Sequence, residues 1–99
     1  MKVYIDDLRN CSEIFIICRT FNEFKDVVKN QGFPEFISFD HDLGYGEPTG
    51  YDIAKWIVEE DMKRKILPIN FSFNVHSANP VGKANIEGLL NGYLKFKGE

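Results

Sequence analysis

Three polar clusters each directly follow an apolar stretch. Asp6-Asp7 follows Val3-Tyr4-Ile5, Asp40-His41-Asp42 follows Phe36-Ile37-Ser38-Phe39, and His76-Ser77-Ala78-Asn79-Pro80 follows Phe71-Ser72-Phe73-Asn74-Val75. Each stretch reads as a strand. In an open parallel α/β sheet, ligands bind outside the carboxyl ends of the strands, where helix N-termini also gather. Strands ending this way bring four carboxylates and both histidines of the chain to one rim, a site for a divalent cation and a phosphate.

Strand alternation sends adjacent Asp6 and Asp7 to opposite faces unless the chain turns there. At a strand end it does turn, and both can converge on one Mg²⁺, which wants oxygen ligands in near-octahedral geometry. The plain alternative, a solvated turn or a helix cap, is the commoner one for an Asp pair alone; Arg9, a ready phosphate ligand, brings the two readings level. Asp40 and Asp42 share a face if the strand continues through them, with His41 between. So many carboxylates together raise some pKa values unless a cation neutralises them. His76 beside them could act as general acid or base. Ser77, the backbone N–H groups around Val81 to Lys83 and the Lys83 ammonium suit an anion at a helix N-terminus. No Ser-His-Asp order, Walker loop or zinc spacing is present, and Trp56 with the other aromatics reads as core.

The elements that must position these groups follow from periodicity. Strands are expected at Lys2 to Ile5 and Ile14 to Cys18. A helix starts at Thr20 with Glu23 completing a capping box, carries Phe21, Phe24, Val27 and Val28 at helical spacing, and ends at Asn30-Gln31-Gly32. The Gly-rich loop Leu43 to Pro48 can bring backbone close to a ligand. Thr49 caps a second helix, with Asp52 at its third position, that buries Ile53, Ala54, Ile57, Val58 and Met62 and ends in the basic run Lys63-Arg64-Lys65. After Pro68, Ile69, Phe71, Phe73 and Val75 alternate with Asn70, Ser72 and Asn74, one buried face against one wet face or an edge position. Asn79 and Pro80 open a last helix with the stripe Ile86, Leu89, Leu90, Tyr93 and Leu94. The order is β-β-α-β-α-β-α.

One connection is awkward. Only Asp7 to Glu13 separates the first two strands, and parallel neighbours usually need a dozen or more crossover residues. Seven extended residues reach roughly 23 to 25 Å, enough to run back along a short strand without a helix. An antiparallel hairpin is the alternative, and it would put Asp40 at the opposite end from Asp6. The site requires the parallel arrangement.

The chain has 99 residues, one domain (1–99) with a modest core, and 43% apolar residues. A net charge of −3 leaves no footprint for general DNA or RNA binding, so any nucleic-acid contact is local. Cys11 and Cys18 have no metal-type spacing and suit reduced thiols of a cytoplasmic protein. Asp-Asp-Leu-Arg within the first ten residues fits no signal peptide, and the longest apolar run, Ile14 to Cys18, cannot span a membrane. The edge strand from Ile69 to Val75 makes a homodimer one arrangement to test.

Ile-Asp-Asp-Leu-Arg, Phe-Asp-His-Asp-Leu-Gly, Thr-Gly-Tyr-Asp and Val-His-Ser-Ala-Asn-Pro-Val-Gly together resemble the motif set of the cyclic-phosphate-processing receiver-like domains, divergent relatives of the response-regulator receiver. The likeness runs from Val3 to about Ile86. It implies a minimal receiver-like (flavodoxin-like) three-layer α/β fold, with a four-stranded, mainly parallel sheet of order 2-1-3-4 and three helices. It also implies handling of 2′,3′-cyclic phosphate ends in RNA processing or repair. On a receiver pattern Asp6 and Asp7 match the acidic pair, Asp40 the phosphoacceptor, and Ser77 falls near the small hydroxyl. A helix between the first two strands, a fifth strand and its following lysine have no counterpart; Arg9, His41, His76 and Lys83 are extra.

The leading expectation is a metal-dependent phosphoesterase acting on cyclic phosphates. Asp6, Asp7 and Asp40 would hold Mg²⁺ or Mn²⁺, with Asp42 as further ligand or base. His41 or His76 would shuttle protons, while Arg9, Ser77, Asn79 and Lys83 would clamp a nucleotide or RNA terminus. A non-catalytic cyclic-nucleotide binder, a degenerate phosphoacceptor receiver and a purely structural partner domain are the rivals.

Overall fold

The computed structural model describes residues 1–11 and 14–98. The elements are β1 (Lys2–Ile5), β2 (Phe15–Cys18), α1 (Phe21–Gln31), β3 (Phe36–Phe39), α2 (Gly50–Arg64), β4 (Ser72–Val75) and α3 (Pro80–Gly98). One sheet of order β2-β1-β3-β4 holds all four strands, and every pair is parallel. The β1–β2 pair is thus parallel despite its short connection, which has no helix among its described residues.

Local chemistry sets the helix starts. Thr20 Oγ1 accepts the Glu23 N–H at 3.1 Å, but the Glu23 carboxylate accepts from the Arg19 N–H rather than from Thr20. Thr49 and Asp52 form a complete, reciprocal capping box on α2. At α3 the Asn79 Oδ1 accepts from the Gly82 N–H at 3.0 Å, as an N-cap with proline behind it should.

The register explains the core. Val3, Ile16, Ile37 and Phe73 form one row, Ile5, Cys18, Phe39 and Val75 another, and both rows point to the same face. That face packs against Phe24 of α1, Ile53, Ala54 and Ile57 of α2, and Ile86 and Leu90 of α3. Crossovers β2–α1–β3 and β3–α2–β4 step in one direction along the sheet, so right-handed connections place both helices on the same side. The sheet order and helix number match expectation, but the layering is two rather than three among the described residues. A second helical layer needs a crossover running the other way, and the short β1–β2 connection supplies none. The opposite face carries Lys2, Phe15, Phe36 and Ser72 in one row and Tyr4, Ile17, Ser38 and Asn74 in the next.

Three sequence expectations are corrected. The fourth strand begins at Ser72, not Ile69, because the Phe71 N–H closes a turn onto the Pro68 carbonyl and leaves Ile69 fully exposed. Ile14 precedes β2 and is exposed. Met62 is exposed, and Asp61 takes the buried place one helical step after Ile57. That carboxylate is matched by the Leu67 N–H at 2.9 Å, the Tyr93 hydroxyl at 2.6 Å and the Lys97 ammonium at 2.6 Å. Tyr93, read as part of an apolar stripe, is the half-buried donor that makes this possible.

Candidate functional site

Ile5, Phe39 and Val75 are register partners, so the residues just past them also fall in one row. That row is Asp6, Asp40 and His76, continued by the Asp40 N–H donating to the Ile5 carbonyl and the His76 N–H to the Phe39 carbonyl, each at 2.8 Å. Asp6, Asp40 and His76 each offer one ligand atom, and these atoms lie within 4.8 Å of one another. On the other side of β1 the row holds Arg19. Its guanidinium donates to the Asp6 carbonyl at 3.1 Å, the Arg9 carbonyl at 2.6 Å and Asn10 Oδ1 at 2.6 Å. It thereby fixes the chain as it leaves β1.

Asp6 is almost fully buried, and its two oxygens divide their work. Oδ1 accepts the Leu8 N–H at 2.9 Å and the Arg9 N–H at 2.8 Å. Oδ2 lies 3.0 Å from His76 Nε2. Burial pushes the Asp6 carboxyl up, but the Arg9 and Leu8 N–H groups, and then His76, outweigh it and hold the group below the ordinary carboxylate value. The His76 ring is held on its other edge by Ser38 Oγ, 2.7 Å from Nδ1, and stacks on Tyr4 with centroids 4.4 Å apart and planes 4° from parallel. A neutral imidazole satisfies both contacts if Ser38 donates to Nδ1 and Nε2–H donates to Asp6.

Beside this row lies an open depression of about 520 Å³ lined by Asp6, Asp7, Asp40 and Asp42, with Arg9 as its cation and Leu43, Gly44, Tyr45 and Thr49 on its far wall. Four carboxylates beside one guanidinium make a donor set that a cation would suit. The donor set fits one. Cis ligands on an octahedral ion with bonds of about 2.1 Å sit about 3 Å apart, the spacing that Asp6 Oδ2 and His76 Nε2 already have. Nδ1–H could then donate to Ser38, the outer partner a ligating imidazole usually has. Carboxylates with one imidazole suit Mn²⁺ at least as well as Mg²⁺.

The other predicted residues take different places. Asp7 faces the Gly44 turn across the depression. Asp42, largely exposed, pairs with His41 Nδ1 at 2.9 Å and accepts from Asn79 Nδ2 at 3.4 Å. His41 does not line the depression. Its ring lies over Gly82, where any Cβ would overlap it. Arg9 reaches the His76 carbonyl at 3.4 Å and keeps its guanidinium exposed at the mouth. Ser77 Oγ accepts from the Asn79 N–H at 3.1 Å, shaping the turn into α3. Lys83 is exposed and is not among the lining residues. Of the α3 N–H groups expected to meet an anion, those of Gly82 and Lys83 are already taken by the Asn79 side chain and carbonyl. Good capping thus competes with anion binding at that helix.

Sequence reasoning missed Ser38, Tyr4, Arg19 and Tyr45. Ser38 and Tyr4 look like ordinary strand residues, and only register shows them under His76. Tyr45, fully exposed between Gly44 and Gly46, could have been flagged as an aromatic ring in a Gly-rich loop beside the acidic cluster.

A parallel sheet with a carboxylate-lined depression past its strand ends defines a receiver-like α/β domain. Residues 1–92 match the family model of the cyclic-phosphate processing receiver domain, and the chain belongs to that family. No curated protein and no solved structure gives a significant match. No helix among the described residues is long and apolar enough to cross a membrane.

Proposed function

We propose that the protein is a metal-dependent phosphoesterase that opens cyclic phosphates, with the 2′,3′-cyclic phosphate end of RNA as the substrate class. The observation that carries this reading is the register row Asp6, Asp40 and His76 beside an acidic depression, in a chain of the cyclic-phosphate processing family. Asp6, Asp40 and His76 would hold Mg²⁺ or Mn²⁺, with Asp7, which lines the same depression, as a further carboxylate. The bound ion supplies charge neutralisation at the phosphoryl oxygens and a more acidic water.

The chain's own residues do the rest. Arg9, exposed at the mouth, pairs with a non-bridging phosphate oxygen and takes up charge developing there. Asp42, oriented by His41 and Asn79, is placed to accept a proton from the attacking water. The His41 imidazole behind it can take that proton onward, and the departing ribose oxygen would be reprotonated by solvent water. Tyr45 at the lip can lie against sugar or base. Arg19 and Ser38 act by position: one fixes the strand exit, the other sets the His76 ring.

The test is ³¹P NMR of a nucleoside 2′,3′-cyclic phosphate and of a short RNA bearing that end. Each is incubated with protein, with and without Mg²⁺ or Mn²⁺, beside Asp40→Asn. Metal-dependent loss of the cyclic resonance, at least about 100-fold slower in the variant, is expected. An unchanged rate in a folded Asp40→Asn protein would remove Asp40 from the chemistry.

A second reading has its own support. Asp6, His76 and Ser38 satisfy one another fully without an ion, which suits a binder of cyclic nucleotides that needs no metal. It predicts a shifted resonance without product.

A further inference from the structure

All-parallel sheets normally have both faces covered, yet here the three helices pack against one face only. The other face is aromatic. Tyr4 and Phe15 meet edge to face at 6.1 Å, Phe15 and Phe36 at 6.0 Å, and all three rings are half-buried and lie outside the core cluster. Arg9 and Cys11 lie close enough to Tyr4 to act on its phenol, so the connection to β2 borders this face on one side. The part toward β3 and β4 is the accessible one.

Two observations say what belongs there. The first is charge. In a chain with 15 acidic residues, the strand positions of this face include no carboxylate and one cation, Lys2, with Asn74 and Ser72 exposed as hydrogen-bonding groups on the outer strand. The second is continuity. His76 reaches Asp6 with one edge while its ring lies flat on Tyr4, so the face begins where the candidate cation site ends.

We propose that this helix-free face is a stacking platform for the bases of single-stranded RNA whose terminal phosphate lies in the depression. The proposal rests on the phosphoesterase reading for the position of that terminus and makes the substrate a polymer end rather than a free nucleotide. Every base has a π-face, so aromatic rings on a sheet bind single strands with little sequence preference. Phe36 carries one base and Tyr4, already backed by His76, helps position the next, while Lys2 at the far end of the sheet meets the backbone. Rings interspersed with Ser, Asn and Lys offer bases both stacking surfaces and hydrogen-bond partners.

The test uses the whole chain with Mg²⁺ and RNAs of one and four nucleotides ending in a 3′-phosphate, which binding can read without turnover. The four-nucleotide RNA should bind roughly tenfold or more tightly than the single nucleotide, the gain expected of one good stacked base. Amide signals of Phe36, Ser72 and Asn74 should shift only with the longer RNA. Phe36→Leu should erase most of the length gain, Phe36→Trp should retain it, and neither should alter turnover of a nucleoside 2′,3′-cyclic phosphate.

Equal affinity for the two lengths, or no shifts on this face, overturns the platform. So do shifts that instead follow protein concentration, which would mean a second copy covers it. Turnover of the mononucleotide without a length gain overturns the platform alone. A Phe36-dependent length gain without turnover upholds the platform and overturns the hydrolytic reading.

Discussion

Replacing Asp6 separates a structural carboxylate from one kept for a cation. Asp6 is almost fully buried and accepts from the Leu8 and Arg9 N–H groups while pairing with His76. In Asp6→Asn the amide oxygen keeps both backbone donors. The new NH₂ faces His76 Nε2, which becomes an acceptor if the ring proton moves to Nδ1, where Ser38 Oγ can take it. Every buried group stays paired, and only the charge is lost. A hydrogen bond to a charged partner is worth about 1.5–3 kcal/mol and a neutral one about 1, so three such bonds lose roughly 1.5–6 kcal/mol in total. Relief of burying a charge returns several kcal/mol. The net change should stay within about 1–2 kcal/mol of wild type. Asp6→Ala instead leaves two N–H groups and an imidazole unpaired, at about 1–3 kcal/mol each, partly recovered by water: about 3–5 kcal/mol. Urea unfolding in chelator measures both. Mn²⁺ titration of the two variants by calorimetry should show a loss of at least about 100-fold, beyond the 10–100-fold typical of losing a ligand's outer partner. Equal destabilisation by Asn and Ala would make the charge itself structural. Undiminished Mn²⁺ binding in both would mean Asp6 is no ligand.

Gly50 lets the start of α2 sit on the strand end, its N–H donating to the His41 carbonyl at 2.7 Å, and a Cβ there would overlap the Asp40 carbonyl. Gly50→Ala should cost about 1–3 kcal/mol and weaken Mn²⁺ binding through Asp40; denaturant melts and calorimetry check both. Burial pushes the Asp61 carboxyl up, but Lys97, Tyr93 and the Leu67 N–H outweigh it and leave it lowered; Tyr93, by burial and by that carboxylate, is pushed up to about 12. A lowered acid stabilises the fold above its unfolded value, near 4, and loses this as pH falls through its folded value. Raised Tyr93 stabilises below about 10 and loses this as pH climbs toward 12. Melts from pH 2 to 11 should therefore show a wild-type advantage over Asp61→Asn between about pH 4 and 10 that shrinks at both ends; a constant difference would remove Asp61 as the cause. Fully exposed Tyr45 at the lip should be replaceable by Ala with no change in melting temperature but a severalfold higher KM for a nucleoside 2′,3′-cyclic phosphate; an unchanged KM would exclude contact with substrate.

The strands and helices were legible because periodicity, caps and strand-end polarity agreed at most positions, while the sheet order came from the family resemblance. Thr20, Thr49 and Asn79 each sit as caps where their types place them. Failures have local causes. Ile69 alternates properly with its neighbours, but Pro68 supplies the carbonyl that closes a turn over it. Met62 lost its expected place to Asp61, whose burial depends on Tyr93 and Lys97 more than thirty residues away. The clusters announced the candidate site, yet sequence alone could not choose Asp6 over Asp7 or Asp40 over Asp42. That choice belongs to register, in which a one-residue slip reverses every side chain.

Register also connects the site to the missing layer. Asp6, Asp40 and His76 lie an odd step beyond the core-facing Ile5, Phe39 and Val75, so strand parity sends them to the helix-free side. Asp7, one residue beyond Asp6, faces the Gly44 turn, and Asp42, two residues beyond Asp40, lies at the entrance of α3. On the proposed reading, a phosphate in the depression would have the Asp6–Asp40–His76 row on one flank and the Asp42–His41 pair, held by Asn79, on the other. A helix covering the second face would leave the ring stacked on Tyr4 little room to meet anything larger than an ion. On the proposed reading its absence among the described residues would open the row to a polymer end, and the short β1–β2 connection also carries Arg9, the cation at the mouth.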